Sequence, residues 1–525
     1  MTPDRLGGVQ SGTPQMRAVF DLLRAIAPLH EGVLLRGELG SGRQTLARAL
    51  HDLARPNQPF VVVDVASIAS QLLESVLFGH EYSTFTGAQV VKRGVFETAA
   101  SGTVLLHEVA AIPYDLQPKL LRVIERREFR RVASSPMRPF TGRIVSTTHC
   151  ELDELVAAHS FDGALRAALA RDAEVAIPPL RARVADLPSL LAGLALDATS
   201  IARLSRLSWP GNLRQLEAFV RTIGHGVPPV DAVTELELLE AIEESPDDDS
   251  SRLVLGDLLA RRGDPRGELI QVQCRLAQNR DDRKIRAAER KLLEGHHKTW
   301  ERSVLDVAST PALASQVTFE RGFADAITIE ADALRRFDAV VRVAPLVTEV
   351  HVRGELGSNT WISPLLRRLR TLDVQVPTLG APAVGDLARC RYLTGVRSLG
   401  LTSGHVVAAH DDPELRAVGI EALATSPHLA GVTTLALRQY ELSADNLATL
   451  LGDRALWHLS ELVLIGAALG PAEITALVAA PRAGQLQTLR LDPLDDAART
   501  ILLASPELRG VTLLDESQQM IRPGG

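Results

Sequence analysis

Residues 37–45, Gly37-Glu38-Leu39-Gly40-Ser41-Gly42-Arg43-Gln44-Thr45, constrain this chain more than any other stretch. An apolar run, Gly32-Val33-Leu34-Leu35, precedes them, and a helix-forming stretch, Leu46-Ala47-Arg48-Ala49-Leu50-His51, follows. Strand, glycine-rich loop and helix in that order are the setting a phosphate-binding loop requires. Glycines at 37, 40 and 42 let backbone N–H groups wrap an anion, and the helix N-terminus behind them adds a favourable dipole. Arg43 stands where the pattern has lysine. A planar guanidinium is longer and bulkier than the compact ammonium that reaches the outer phosphate oxygens inside a tight loop. The residues favour phosphate binding by Gly37, Glu38, Gly40, Ser41, Gly42, Arg43, Gln44 and Thr45 over an ordinary glycine-rich turn. They put phosphoryl transfer in question.

A chain of 525 residues has room for three or four domains of roughly 100–200 residues each. It holds no uninterrupted apolar run of the about 20 residues that span a bilayer, so no membrane partner is expected. The first residues, Met1-Thr2-Pro3-Asp4-Arg5, lack the basic-then-apolar layout of a secretory signal, and Cys150, Cys274 and Cys390 lie far apart. The expected compartment is the reducing cytoplasm. Net charge is −7, and only five of the 57 basic residues are lysine, so no autonomous DNA-binding face is evident.

Phe60-Val61-Val62-Val63-Asp64-Val65, Ser101-Gly102-Thr103-Val104-Leu105-Leu106-His107-Glu108-Val109 and Arg143-Ile144-Val145-Ser146-Thr147-Thr148-His149 read as buried strands separated by helical segments. That alternation predicts an α/β, doubly wound parallel sheet. Ligands collect at the carboxyl ends of such strands, which directs Asp64, His107 and Glu108 toward the phosphate loop.

Further motifs follow in order. Phe78-Gly79-His80-Glu81 leads into Tyr82-Ser83-Thr84-Phe85-Thr86-Gly87-Ala88; later come Ile177-Pro178-Pro179-Leu180-Arg181-Ala182-Arg183, Asp186-Leu187-Pro188 and Trp209-Pro210-Gly211-Asn212-Leu213-Arg214. With the phosphate loop and the Gly102–Glu108 strand, they make residues 7–223 resemble the AAA+ domain of sigma-54-dependent transcription activators, the bacterial enhancer-binding proteins. The resemblance implies a P-loop AAA+ domain with a parallel sheet and helical lid, ATP as ligand and a homo-oligomeric ring. It also implies contact with sigma-54 RNA polymerase holoenzyme through Phe85, Thr86, Gly87 and Ala88. Glu108, Asp64 and Thr148 fall in the catalytic set, and His107 and Arg214 join the phosphate loop around the nucleotide.

Departures from the family pattern gather on the ATPase chemistry. Arg43 replaces the lysine. His107 replaces the aspartate that helps hold hydrated Mg²⁺, and neutral imidazole brings no negative charge, so weak or absent Mg²⁺ binding is expected; a buried core histidine is the alternative role. Asp64 replaces an asparagine, and a second carboxylate near Glu108 is expected to raise one pKa. Asp162 and Ala168 fall at the arginine-finger positions, with Arg166 and Arg171 nearby; a lost finger costs orders of magnitude in phosphoryl transfer. Arg214 keeps the lid arginine, with pairing to an acidic neighbour as its alternative. Ser83 and Thr84 replace a leading Gly-Ala in the sigma-contacting loop.

Between about 225 and 250 the composition turns acidic, ending in Glu243-Glu244-Ser245-Pro246-Asp247-Asp248-Asp249-Ser250, a domain boundary. Beyond it, Gly263-Asp264-Pro265-Arg266-Gly267-Glu268 resembles the mark of a small helical module that accompanies leucine-rich repeats. An apolar-x-x-apolar-x-apolar pattern then recurs with middle positions Val350, Leu372, Leu399, Leu435, Leu462, Leu489 and Val511. Its spacings of 22, 27, 36, 27, 27 and 22 suit a leucine-rich-repeat α/β solenoid with a protein partner on its strand face, or a spacer. The expected domains are 1–175 (α/β subdomain), 176–228 (lid), 229–300 (helical module) and 301–525 (repeats). Two functions fit: a sigma-54 regulator that binds ATP with weak or no hydrolysis, and an inactive AAA+ scaffold whose repeats choose its partner.

Overall fold

The computed structural model describes residues 4–29, 32–81, 92–308, 316–354, 356, 360–375, 382–403, 413–452, 456–515 and 520–522. The chain divides into two compact units, Met1–His297 and Lys298–Gly525.

The first unit is built on a parallel sheet of five described strands: β1 (Val33–Arg36), β2 (Phe60–Asp64), β3 (Thr103–His107), β4 (Arg143–Thr148) and β5 (Ala173–Ala176). Their order is β5-β1-β4-β3-β2. The central strands read as unbroken apolar runs because both faces are covered, and Val33, Leu35, Val104, Leu105 and Val145 are fully buried, whereas β2, expected to be buried, is an edge strand with Val62 exposed. Each such side chain contributes about 1.5–3 kcal/mol by leaving water. Register aligns the carboxyl ends: Asp64 lies opposite His107, and Thr148 opposite Arg36. Polar residues that end separate runs in the sequence therefore share one edge of the sheet. Helix α1 (Arg43–Ala54) packs Leu46, Ala47 and Leu50 into the core beneath the phosphate loop.

Farther along, Leu180, Leu187, Leu204, Trp209 and Phe219 form a separate small core, and the buried Trp209 indole donates to Leu204 O at 2.9 Å. Helix α2 (Asn212–Gly224) belongs to it. The acidic stretch after residue 225 is largely helical: Pro229–Glu244 buries Ala232 and Val233 in the same core, and Asp248 caps the next helix, Asp249–Arg261, by accepting from Ser250 N at 2.9 Å. The Gly263–Glu268 signature is its turn. Gly263 has φ +77°, Asp264 accepts from Arg266 N, and a side chain on Gly267 would meet Gly256 O at 2.5 Å, so two helices touch there backbone to backbone.

In the second unit, ten described strands pair in sequence order. Strands from Phe323–Glu330 through Thr512–Leu514 are parallel, and Val317–Glu320 and Met520–Arg522 add one antiparallel strand at each edge. Successive strands place Ile327, Val350, Leu372, Leu399, Leu435, Leu462, Leu489 and Leu513 in one buried row. The row corrects one expectation. Leu513, not Val511, lies opposite Leu489, because Thr512 pairs with Thr488. Val511 is buried too, which is why the apolar spacing alone misled. The strand carrying Ile327 precedes the repeat pattern and escaped it. Residues 404–412, within the longest spacing of 36, lie outside the described residues.

Candidate phosphate-binding site

Gly37 follows directly from β1, and its N–H donates to Thr148 O at 3.1 Å, fixing the start of the loop to β4. Gly40 (φ +74°) and Gly42 (φ +103°) take left-handed conformations that side chains resist. A Cβ on Gly40 would lie 2.3 Å from Gly211 O. Helix α1 starts at Arg43 with no side-chain cap, leaving its first N–H groups available to an anion. Ser41 is buried, and its Oγ has no hydrogen-bond partner.

Arg43 turns inward and is 2% exposed. Its Nη2 donates to Glu108 Oε1 at 2.5 Å, while Nη1 is buried without a partner. The other Glu108 oxygen, Oε2, accepts from the His149 ring Nδ1 at 2.7 Å and from His149 N at 3.3 Å. Glu108 itself sits just past β3 in a left-handed conformation (φ 60°), its N–H donating to Thr147 Oγ1. Burial on its own would raise the Glu108 carboxyl, but His149 and Arg43, with a smaller pull from His107, hold it well below the usual carboxylate range. The expectation of a raised pKa from a second carboxylate is thus overturned at Glu108. Asp64 is half exposed and approaches His107 Nδ1 at 4.0 Å, whereas the Arg43 guanidinium and the His149 ring touch Glu108 directly.

His107 stands 3.9 Å from Glu108, and its Nδ1 has no hydrogen bond. Burial is the main cause of its lowered pKa, with Arg43 and Arg214 adding to it against Glu108 and Asp64. Arg214 therefore lies within electrostatic reach of the site; it is exposed at the start of α2, and no ion pair holds it among the described residues. Gln44 and Thr45 are exposed on α1. Thr148 is buried, and its Oγ1 is engaged with the backbone of Cys150 rather than open to the loop. No group of three His, Cys, Asp or Glu side chains among the described residues is arranged to hold a metal ion.

At the finger positions, Asp162 caps helix Gly163–Leu169 by accepting from Leu165 N, and Ala168 is buried. Arg166 is held within the chain by Asp153 and Glu174, each at 2.7 Å. Arg171 approaches Glu125 only to 4.0 Å. Phe85, Thr86, Gly87 and Ala88 lie outside the described residues. Preceding them, His80 pairs with Lys92 and Glu81 accepts from Arg131 at 3.0 Å.

Several contributors escaped sequence reasoning. His149 was read only as a strand end, although it is the second partner of Glu108. Arg181, Arg183 and Asn212 clasp the phosphate loop. Arg181 pairs with Glu38, Arg183 Nη2 donates to Ser41 O at 2.8 Å, and Asn212 Nδ2 donates to Glu38 Oε2 and Leu39 O. Leu213 N adds a bond to Gly40 O at 3.1 Å. The Asn212 φ of 51° is a signal only coordinates could give.

Residues 9–171 match the family described as Sigma-54 interaction domain. Similar curated proteins include the Nif-specific regulatory protein of Herbaspirillum seropedicae, 37% identical over 227 residues, covering 41% of this chain and 42% of that protein. The C4-dicarboxylate transport transcriptional regulatory protein DctD of Pseudomonas aeruginosa is 37% identical, covering 41% and 48%. The DNA-binding transcriptional regulator NtrC of a Bradyrhizobium strain is 36% identical over 42% of this chain and 48% of its own. The chain thus spans under half the length of these relatives. Among solved structures, NtrX from Brucella abortus is 32% identical over 42% of this chain and 53% of that one, with a TM-score of 0.38. Among the described residues, no helix is long and apolar enough to cross a membrane.

Proposed function

We propose that this chain is a sigma-54-interacting AAA+ regulator of transcription that binds ATP at Gly37–Thr45 and hydrolyses it weakly or not at all. The match of residues 9–171 to the Sigma-54 interaction domain supports the first part. The glycine cradle supports ATP as ligand, as do the unpartnered Ser41 Oγ and Arg43 Nη1, which suit phosphate oxygens. One observation carries the limit on hydrolysis: Glu108 is held between Arg43 and His149. A carboxylate whose two oxygens are engaged by Arg43 and His149, and whose pKa is depressed, is a poor base for activating water. Bound ATP would supply the differential ligand energy that biases a regulator between states. Arg43 and the loop N–H groups would hold its phosphates, and Arg214 would approach from α2.

The domain reading of 1–175, 176–228, 229–300 and 301–525 belongs to this proposal, as do a homo-oligomeric ring, a cytoplasmic setting and a leucine-rich-repeat solenoid. So does contact of Phe85, Thr86, Gly87 and Ala88 with polymerase. Purified protein is expected to bind ATP and to release phosphate at the rate of the Glu108→Gln variant; turnover that this substitution abolishes would restore a working ATPase. Phe85→Ala is expected to abolish retention on immobilised sigma-54, and unchanged retention removes the polymerase partner.

A second reading, an inactive AAA+ scaffold whose repeats bind protein, draws on the outward strand face of the second unit. There Thr371, Ser398, Thr434, Glu461 and Thr488 form a row, and Arg438 reaches Asp373 at 2.8 Å across Gly400. The two readings part on sigma-54 retention, which only the first requires.

A further inference from the structure

Resting on the ATP-binding reading, we propose that Arg43 takes over the charge role of the divalent cation, so that the loop holds nucleotide phosphates as a metal-free polyanion. The ligand inventory points this way. Mg²⁺ is held in phosphate-loop sites by one or two protein oxygens together with the phosphates, and it keeps several waters. Immediately after the cation of the loop, the pattern places a Ser or Thr hydroxyl that reaches Mg²⁺; here Gln44 stands there, exposed on α1. At the end of β3 the residue facing the loop is His107, an imidazole with no negative charge. Glu108, the nearest buried carboxylate, has both oxygens engaged, Oε1 by Arg43 at 2.5 Å and Oε2 by His149 at 2.7 Å. Asp64 is half exposed and faces His107 at 4.0 Å.

The charge balance agrees. A dication entering beside the buried guanidinium of Arg43 meets like-charge repulsion in a medium that screens poorly. A phosphate meets attraction instead. Arg43 still has Nη1 buried and unpartnered after satisfying Glu108, and Ser41 Oγ is buried and unpartnered in the same loop. A guanidinium presents donors in a planar fork suited to two phosphate oxygens at once, where an ammonium acts as a point charge. Positions 43, 44 and 107 then form one set: a fixed cation, an amide and an imidazole, with neither a hydroxyl nor a carboxylate among them to hold a metal.

The test is calorimetric titration of the full chain with ATP, once with excess MgCl₂ and once with EDTA. Wild type is expected to bind in both buffers, with Mg²⁺ giving no gain. The Arg43→Lys/His107→Asp variant is expected to bind more tightly in Mg²⁺ by about tenfold, one cation–carboxylate contact's worth. Wild-type binding that weakens about tenfold or more in EDTA overturns the inference while leaving ATP binding intact. Absence of binding in both buffers refutes the ATP-binding reading itself. The wild-type comparison needs no variant, so a misfolded mutant cannot decide the result.

Discussion

The phosphate-loop corner and the strand stack of the second unit solve opposite problems. In the corner, polar groups are buried and linked side chain to side chain: Arg43, Glu108 and His149 form a chain in which the Glu108 carboxylate bridges the other two. In the stack, each buried leucine sits between two near copies of itself, and the polar groups lie on the outward face. Repetition spreads stability over many similar contacts, whereas the corner concentrates it in three residues. Substitution at the corner can therefore change chemistry while the sheet beneath, fixed by apolar residues, keeps its form.

The largest expected effect is at the corner. Arg43→Ala leaves Glu108 buried with one cationic partner fewer, and is expected to destabilise the first unit by about 3–5 kcal/mol and to abolish ATP binding. Urea unfolding read by hydrogen exchange over β3 measures it; a loss below about 1 kcal/mol would mean that water reaches Glu108 and that the contrast is false. In the stack, Leu435→Ala is expected to cost about 3 kcal/mol by leaving a cavity, with ATP affinity unchanged. Altered affinity there would show the two units to be energetically coupled.

Gly400→Ala sharpens the comparison at a smaller scale. Its Cβ would lie 2.6 Å from Asp373 Oδ2 and 3.0 Å from Arg438 Nη1. The ends of that partly exposed ion pair must move aside, at about 1 kcal/mol. A melting-temperature change of several times that size would give the pair a structural weight the stack does not assign it.

The smallest effect is on pH. The His107 pKa is lowered in the fold, so its contribution is complete above its unfolded value of 6.5 and lost as pH falls through the folded value. Glu108, also lowered, contributes above 4.5 and loses it only at more acid pH. The urea midpoint of the first unit is expected to fall between about pH 7 and about pH 5.5, and His107→Gln to flatten that slope. An unchanged slope would assign the titration to other groups.

Much of the scaffold was legible because it depends on local pattern. Unbroken apolar runs marked β2, β3 and β4, and glycine spacing marked the loop, since only glycine takes the conformations at Gly40 and Gly42 without strain. The repeat period located six strands of the stack, and failed at Val511, where two buried apolar residues near the strand offered competing registers. The site was legible only as a set of replaced residues. That Arg43 would fold onto Glu108, 65 positions away, or that His149 would hold its other oxygen, leaves no periodic trace.

Composition and spacing by themselves marked most of the strands and the glycine-rich loop, because backbone conformation and burial follow largely from residue type over short distances. Which charges meet at that loop was decided by the folded sheet alone. Electrostatic partnership depends on distance in space and on the removal of water, and the register of β3 beside β4 sets both.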